Sequence, residues 1–395
     1  MPKATQQQTK EHNTHLVLKT IYDQDGISRA EIARYTKLTK TTVSSIVNEL
    51  IQEGFVMETG IGTSEGGKPP ILLSIVDDAR HFIGIDLANS EFRGAVVNLR
   101  GEIAHRTKLP IDDSDGDAAL AIMYELIDKL LSDGGKSVSG IGIGTPGLIN
   151  PHKGMVRRAV NLDWVGIPLK QLIEERYNLK CYVANDCQAA ALGEYTFAHN
   201  SNTTNLVVVK IGRGIGSGIV MNGKLYYGDG YGAGEIGHLV LIENGKLCPC
   251  GNYGCLETVA STKSVVKRAR KIAKSNPNSL LNQFARDPQE ISTEVVLRAY
   301  NAGDHNIREL IVEAGAYLGR ALACHVSVLN VKHIVIAGSM ARFGTVLLDS
   351  VKQEMQKSSM STLANETEVE ISSLGQDIVI KGAASLLLAN ELNLV

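Results

Sequence analysis

The sequence predicts an α/β protein in which a small N-terminal helical unit precedes a larger body of two similar halves. The first 78 residues carry helix-type apolar spacing and helix-capping signals, whereas short apolar strands alternate with helices from His81 onward. The strand pattern of residues 82–145 returns over residues 206–227, which indicates two related lobes. With 395 residues, 44% of them apolar, the chain is long enough for two or three domains with sizeable cores.

The N-terminal unit has the order of a winged helix-turn-helix. A helix is predicted from Gln6 to about Asp23, and Ser28 to Glu31 form a capping box that opens a second helix. Thr39 opens a third helix whose apolar side chains recur at helical spacing and must be buried: Val43, Ile46, Val47, Leu50 and Ile51. Segments 55–58 and 71–75 then flank a glycine-rich stretch and predict a β-hairpin, the wing.

The face of the third helix opposite the apolar stripe carries short polar side chains near its N-terminus. Groups of this kind meet base edges and phosphates in DNA-binding helices. The predicted DNA contacts are Lys40, Thr41, Thr42, Ser44, Ser45 and Asn48, with Lys68 at the tip of the wing. The net charge is −2, and basic residues outnumber acidic ones only seven to four over residues 1–40. Charge therefore gives weak support, and a small helical domain without DNA contacts is the alternative.

The body begins with strands at 82–87, 92–98 and 102–109, a helix at 117–131 and a strand at 138–145. This order is that of an actin-like, ribonuclease-H-like half-domain, and strands at 206–211, 215–221 and 224–227 repeat it. We therefore expect two lobes with a cleft between them. The expected domains are the winged helix-turn-helix at 1–78, a first lobe at 79–195 with the C-terminal helix 381–395, and a second lobe at 196–380.

A cysteine-rich segment of the expected second lobe has the spacing of metal ligands. Cys248, Cys250 and Cys255 form a Cys-x-Cys-x4-Cys pattern downstream of His238. Three thiolates and one imidazole complete a tetrahedral zinc site, which would be structural because no position is left for a reacting water. This count argues against a zinc-dependent hydrolase. A glycine-rich turn with buried free thiols is the alternative reading.

Composition indicates where the protein acts. The sequence has no apolar run of membrane-spanning length, and residues 1–20 lack the apolar segment of a signal peptide. We therefore expect a cytoplasmic protein with no membrane partner. In that reducing compartment a cysteine and histidine cluster indicates a metal site rather than disulfides.

Two glutamates lie close in sequence to the predicted zinc ligands. Glu235 and Glu257 are held near the ion, and His238 can present its second ring nitrogen to a ligand, an arrangement that suits hydroxyl recognition. The run Gly-Glu-Ile-Gly-His at 234–238, with Cys-Pro-Cys-Gly-Asn-Tyr-Gly-Cys-Leu-Glu at 248–257, resembles the signature of the ROK family of sugar kinases and sugar-responsive repressors. The resemblance covers the chain from about residue 80 and implies a sugar-kinase fold. Residues 66–70 also resemble the wing of the xylose-repressor branch.

The resemblance implies a sugar site. Asn185-Asp186 matches the Asn-Asp pair of the family, in which the aspartate is the kinase base. The sugar contacts that it implies are Asn161, Asn185, Asp186, Glu235, His238 and Glu257. The only tryptophan, Trp164, either lines this pocket or caps a core.

The phosphate-binding turns depart from the kinase pattern. The first turn reads Asp-Leu-Ala-Asn-Ser at 86–90, so that Ala88 and Asn89 replace both glycines and block close approach of the backbone to phosphate. The second turn, 212–218, keeps its glycines but has Arg213 where the kinases usually have threonine. ATP binding is therefore expected to be lost while sugar binding is kept.

These expectations favour a non-catalytic, sugar-responsive transcriptional regulator, a repressor of carbohydrate-utilisation genes in which Asp186 is a vestigial base. Its expected partners are operator DNA, a sugar effector and further copies of the chain, as a homodimer or a dimer of dimers. The alternative is an active ATP-dependent ROK sugar kinase with an accessory DNA-binding domain. Xylose or glucose as effector follows from the wing resemblance alone, with N-acetylated hexosamines as the next candidates.

Overall fold

The structure, a computed structural model, describes residues 5–63, 69–87, 90–112, 114–134, 137–198 and 203–395. Three residues that carry predictions lie outside these described residues: Lys68 at the wing tip, and Ala88 and Asn89 in the first phosphate turn. Within the described ranges, no helix has both the length and the apolar composition that are needed to cross a membrane.

The N-terminal unit is a winged helix-turn-helix. Its elements are α1 (Gln6–Asp23), β1 (Ile27–Ser28), α2 (Arg29–Thr36), α3 (Lys40–Gln52), β2 (Val56–Ile61) and β3 (Ile71–Ile75), with strand order β1-β3-β2. The predicted capping box starts α2, since the Ser28 hydroxyl accepts from the Glu31 amide at 3.3 Å and Glu31 accepts from the Ser28 amide at 3.0 Å. Four residues of the apolar stripe on α3 are buried and Ile51 is half-buried, which confirms the predicted stripe.

The first half of the body is built on a five-stranded sheet of order β11-β7-β4-β5-β6. Its elements are β4 (His81–Asp86), β5 (Glu91–Asn98), β6 (Ile103–Pro110), α4 (Gly116–Asp133), β7 (Val138–Thr145), α5 (Leu169–Tyr177), β11 (Lys180–Asn185) and α6 (Asp186–Phe197). β4, β7 and β11 run parallel, while β5 and β6 are antiparallel. A small antiparallel sheet, which the sequence did not predict, is inserted here: β8 (Leu148–Asn150), β9 (Met155–Ala159) and β10 (Trp164–Ile167).

The second half is built on a five-stranded sheet of order β14-β13-β12-β15-β16. Its strands are β12 (Leu206–Ile211), β13 (Ile215–Met221), β14 (Lys224–Leu225), β15 (His333–Ala337) and β16 (Glu368–Ile371). Its helices are α7 (Glu257–Ala260), α8 (Thr262–Ser275), α9 (Leu281–Phe284), α10 (Thr293–Asn301), α11 (His305–Leu329), α12 (Thr345–Ser358) and α13 (Ser361–Glu366). A last helix, α14 (Ile378–Glu391), returns to pack on β4 and β7 of the first sheet.

Helices α6 and α14 cross with their backbones in contact. A Cβ atom on Gly382 would lie 1.7 Å from the carbonyl oxygen of Ala189, and one on Gly193 would lie 2.6 Å from that of Ile378. Only glycine permits this approach. Because α6 also packs on β12 and β13, the crossing joins the two sheets.

The winged unit shares an apolar core with the first sheet and α14. Core residues from α1 to β3 pack with side chains of the body: Phe82, Ala95, Val97, Leu99, Leu387, Leu388 and Leu394. The Tyr22 hydroxyl donates to the Leu99 carbonyl oxygen at 2.8 Å, and burial raises the pKa of Tyr22 to about 12. Arg100 donates to the Tyr22 carbonyl oxygen at 2.8 Å, and Lys19 donates to that of Leu394 at 2.8 Å. The winged unit is therefore fixed to the body by packing and hydrogen bonds.

Candidate functional site

The predicted metal ligands meet in one cluster. His238 ends a short 3-10 turn, Ile236–His238, and the three cysteines lie on the loop that leads into α7. That loop folds tightly at Gly254, where φ is +75° and a Cβ atom would lie 1.8 Å from the carbonyl oxygen of Ile242. One nitrogen and three sulfur atoms consequently lie within 4.8 Å of one another.

The separations within the cluster suit one tetrahedral ion. His238 Nδ1 lies 3.6 Å from Cys248 Sγ, and the sulfurs of Cys250 and Cys255 are 3.7 Å apart. Metal–sulfur bonds of about 2.3 Å and metal–nitrogen bonds of about 2.0–2.1 Å at tetrahedral angles give separations of roughly 3.6 Å for S···N and 3.8 Å for S···S. The donor set fits a borderline-soft divalent ion.

The charge state of the thiols depends on such an ion. Burial raises the pKa of Cys255 to about 12 and also raises that of Cys248, while the backbone amide of Asn252 lowers the pKa of Cys250. Two of the three sulfurs therefore resist ionisation within the protein alone. A bound cation reverses this preference, because thiolates rather than thiols are the ligands.

The second ring nitrogen of His238 faces Glu235, with Nε2 3.7 Å from Oε2. Burial is the main cause that raises the pKa of Glu235; His238 lowers it, and the carboxylates of Asp186 and Glu257 raise it. The three acidic side chains therefore interact in one partly desolvated region. His238 joins this acidic region to the cluster of predicted metal ligands.

Asn185 organises the start of α6. Its Oδ1 accepts from the Cys187 amide at 2.8 Å as the helix N-cap, and its Nδ2 donates to the carbonyl oxygen of Gly147 at 2.9 Å. The cap makes Asp186 the first residue of the helix. Asp186 is buried, and its Oδ2 lies 2.7 Å from Lys210 Nζ.

The other predicted sugar contacts differ in placement. Glu257 Oε2 accepts from the Ile215 amide at 3.1 Å, which ties it to the glycine-rich turn at 212–218. Asn161 is exposed in the turn Val160–Leu162, and no hydrogen bond among the described residues joins it to the acidic group. Trp164 is buried and donates from Nε1 to the Gly116 carbonyl oxygen at 2.9 Å, so it belongs to the core of the first half.

Two polar residues near Asp186 were not predicted. Lys210 lies within the buried strand β12, where a charge requires a partner; that requirement was the available sequence signal. Gln188 is buried on α6, and its Oε1 has no partner among the described residues. Both residues border the predicted sugar contacts.

A cavity of about 1060 Å³ opens beside the second glycine turn and has a basic lining. Lys210, Gly212 and Gly338 line it, together with the exposed Arg213. One face of α8 contributes Lys263, Lys267, Lys271 and Lys274. In the first phosphate turn, Asp86 is buried and pairs with Arg93 at 2.5 Å.

The predicted DNA-facing residues among the described ones lie on α3 between Lys40 and Asn48. Lys40, Thr41, Ser45 and Asn48 are exposed, whereas Thr42 and Ser44 are half-buried.

Two charged residues, Arg29 and Glu49, lie next to the polar face of α3. Arg29, which the sequence analysis did not select, donates to Asn48 Oδ1 at 3.3 Å and pairs with Glu58 at 3.2 Å. Its place at the start of α2, beside the capping box, was a usable signal. Glu49 is paired with Lys10 at 2.9 Å, which offsets the nearest acidic charge.

Comparisons with known proteins agree with this architecture. The model "ROK family" matches residues 82–390, and the model "MarR family" matches residues 11–59. The chain is 32% identical over 389 residues to a xylose repressor of Caldicellulosiruptor bescii, covering 97% of each chain. A glucokinase of Halalkalibacterium halodurans is 33% identical over 317 residues, covering 79% of this chain and 96% of the enzyme.

A solved structure gives the same result over nearly the whole length. A ROK family transcriptional regulator, described as a homolog of the E. coli MLC protein, superposes with a TM-score of 0.83 at 29% identity and 98% coverage of each chain. The predicted fold class, a winged helix-turn-helix followed by a two-lobed actin-like body, is thereby confirmed. The chain belongs to the ROK family.

Proposed function

We propose that the protein is a sugar-responsive repressor that binds operator DNA through α3 and binds a sugar in its kinase-like body. The observation that carries this proposal is the shared core between the winged unit and the body, which gives a ligand in the body a physical route to the DNA-binding surface. Similarity to a xylose repressor over 97% of both chains supports a regulator rather than a kinase.

The proposed sugar contacts are Asn161, Asn185, Asp186, Glu235, His238 and Glu257. Five of them cluster around the start of α6 and the cysteine-bearing loop that leads into α7, which supports their binding one ligand together. Asn161 is exposed, which gives its assignment less support. Clustered carboxylates discriminate between sugars because a missing hydroxyl leaves a buried acceptor unpaired. A pentose or hexose such as xylose or glucose is the proposed effector, on the similarity to the repressor alone.

The proposed metal is zinc, bound by His238, Cys248, Cys250 and Cys255 in a structural role. Separations near 3.6 and 3.7 Å between donor atoms support it. When bound, zinc supplies a fixed cross-link and sets the tautomer of His238, so that Nε2 is presented toward Glu235.

We further propose that the body does not phosphorylate its sugar. Asp186, at the position of the kinase base, is in an ion pair with Lys210, and Arg213 stands in the second phosphate turn. The similarity to a glucokinase keeps the kinase reading as the competing candidate. A coupled assay with ATP and the best-binding sugar tests it, and ordinary turnover would establish the kinase.

The proposed partners and location follow from the winged helix. Operator DNA is read by two copies of the chain related by a two-fold axis, since one recognition helix supplies too little affinity; a dimer or a dimer of dimers in the cytoplasm is proposed. The proposed DNA contacts are the described polar residues of α3 together with Lys68, which lies outside the described residues.

Operator binding measured with and without sugar tests the whole proposal. We expect a sugar from the panel of pentoses, hexoses and N-acetylated hexosamines to change operator affinity at physiological salt. Operator affinity that no sugar changes, despite measured sugar binding, would refute the coupling.

A further inference from the structure

The starting point is a buried ion pair that crosses between the two sheets. Lys210 Nζ lies 2.7 Å from Asp186 Oδ2, and each residue is only 8% exposed. Lys210 belongs to β12 of the second sheet, whereas Asp186 directly follows β11, the edge strand of the first sheet. The position of one charge relative to the other therefore depends on how the two sheets are placed.

The Lys210 ammonium of this pair is charged. Burial lowers the pKa of Lys210, but the carboxylates of Asp186 and Asp86 raise it by more, so the ammonium remains protonated. Asp86 is paired with Arg93, and Asp186 is in direct contact with Lys210. At 2.7 Å the ammonium makes a charge-assisted hydrogen bond to Asp186 Oδ2.

The two oxygens of Asp186 are not equivalent. Oδ2 accepts from the ammonium of Lys210, whereas among the described residues Oδ1 accepts only a long contact of 3.9 Å from the thiol of Cys187. A thiol is a weak donor, so Oδ1 retains capacity to accept from a hydroxyl. The geometry thus separates an oxygen that fixes the side chain from an oxygen that is free to meet a ligand.

We propose that Lys210 is the positioning residue of the effector site: it holds the Asp186 side chain so that Oδ1 can accept from one sugar hydroxyl while Oδ2 is occupied by the ammonium. This inference rests on the proposed function, since it takes Asp186 to be a sugar contact. A carboxylate held by an ammonium is a poor proton acceptor, so the same contact opposes its use as a kinase base. The contact between Lys210 and Asp186 also makes sugar affinity depend on how the two sheets are placed, because Oδ1 points to the sugar hydroxyl only while the ion pair is formed.

The test compares Lys210→Met with the wild type by calorimetry, using a panel of pentoses and hexoses and the monodeoxy analogues of the best ligand. We expect Lys210→Met to weaken the best sugar by roughly 10- to 100-fold, the range for losing a hydrogen bond to a charged group. One monodeoxy analogue, lacking the hydroxyl that meets Asp186, should bind the wild type and the variant equally. Lys210→Arg should restore most of the affinity.

Several outcomes distinguish positioning from general damage. Lys224→Met, an exposed lysine on β14 of the same sheet, is the matched control and should leave affinity unchanged. If Lys210→Met does not fold, Lys210→Gln keeps a donor without the charge and serves in the same comparison. An equal loss for every sugar and analogue would show a merely structural role and overturn the inference. Unchanged affinity in a folded variant overturns it as well, whereas a wild type that binds no sugar refutes the proposed function and the inference together.

Discussion

Replacing Arg100 by alanine should uncouple the DNA-binding unit from the body without touching either binding surface. Arg100 donates to the Tyr22 carbonyl oxygen at 2.8 Å and to Asp77 at 3.1 Å, and its guanidinium lies 4.3 Å from the centre of the Tyr22 ring. The three contacts together are worth about 2–3 kcal/mol, taking about 1.5 for the charged bond to the carbonyl and smaller terms for the exposed ion pair and the ring contact.

The assay has two parts. Calorimetry should find sugar affinity unchanged in Arg100→Ala. The change in operator affinity caused by sugar should become smaller by roughly tenfold or more, because the interface contacts that Arg100 makes are lost. Arg106→Ala is the matched control, since Arg106 lies on the adjacent strand in an exposed pair with Asp377 at 2.7 Å. If Arg100→Ala keeps the full sugar effect on operator binding, the coupling does not pass through this interface.

Three further changes test other parts of the molecule. Ser45→Glu should abolish operator binding at physiological salt and spare sugar binding, because it places a carboxylate on the exposed face of α3; a surviving operator complex would show that α3 is not the recognition helix. Metal analysis should find one zinc per chain in the wild type, and Cys250→Ser should lose that zinc and, with it, the response to sugar. Gly382→Ala should lower the free energy of unfolding by about 3 kcal/mol or more in chemical denaturation, since its Cβ would lie 1.7 Å from the Ala189 carbonyl oxygen. Ala302→Gly, at the exposed end of α10, is the control and should change the free energy of unfolding little.

Local signals accounted for much of the fold. The helix Gln6–Asp23 and the strands Val138–Thr145, Leu206–Ile211 and Ile215–Met221 have the predicted bounds, because caps, glycines and apolar runs mark their ends. The small sheet of β8, β9 and β10 was missed because its strands are only three to five residues long, too short for a clear period of alternation.

In the candidate site, too, the sequence predicted some contacts and missed others. The proposed metal ligands lie within one stretch of 18 residues, in a spacing that is typical of metal sites, so the sequence predicted that they cluster. Lys210 and Asp186 are 24 residues apart, and Arg100 and Tyr22 are 78 apart, so no local pattern identifies either residue's partner. Such contacts depend on how sheets and helices pack, which periodicity does not specify.

The contact between Leu394 and the winged unit has a consequence for biosynthesis. Lys19 on α1 bonds to the Leu394 carbonyl oxygen across 375 positions of sequence, and Leu387, Leu388 and Leu394 complete the same apolar core. On the ribosome the winged unit emerges first, yet this core stays unfinished until α14 and the residues after it have been translated. A nascent chain thus acquires a finished DNA-binding unit only after the body that would control it has been made.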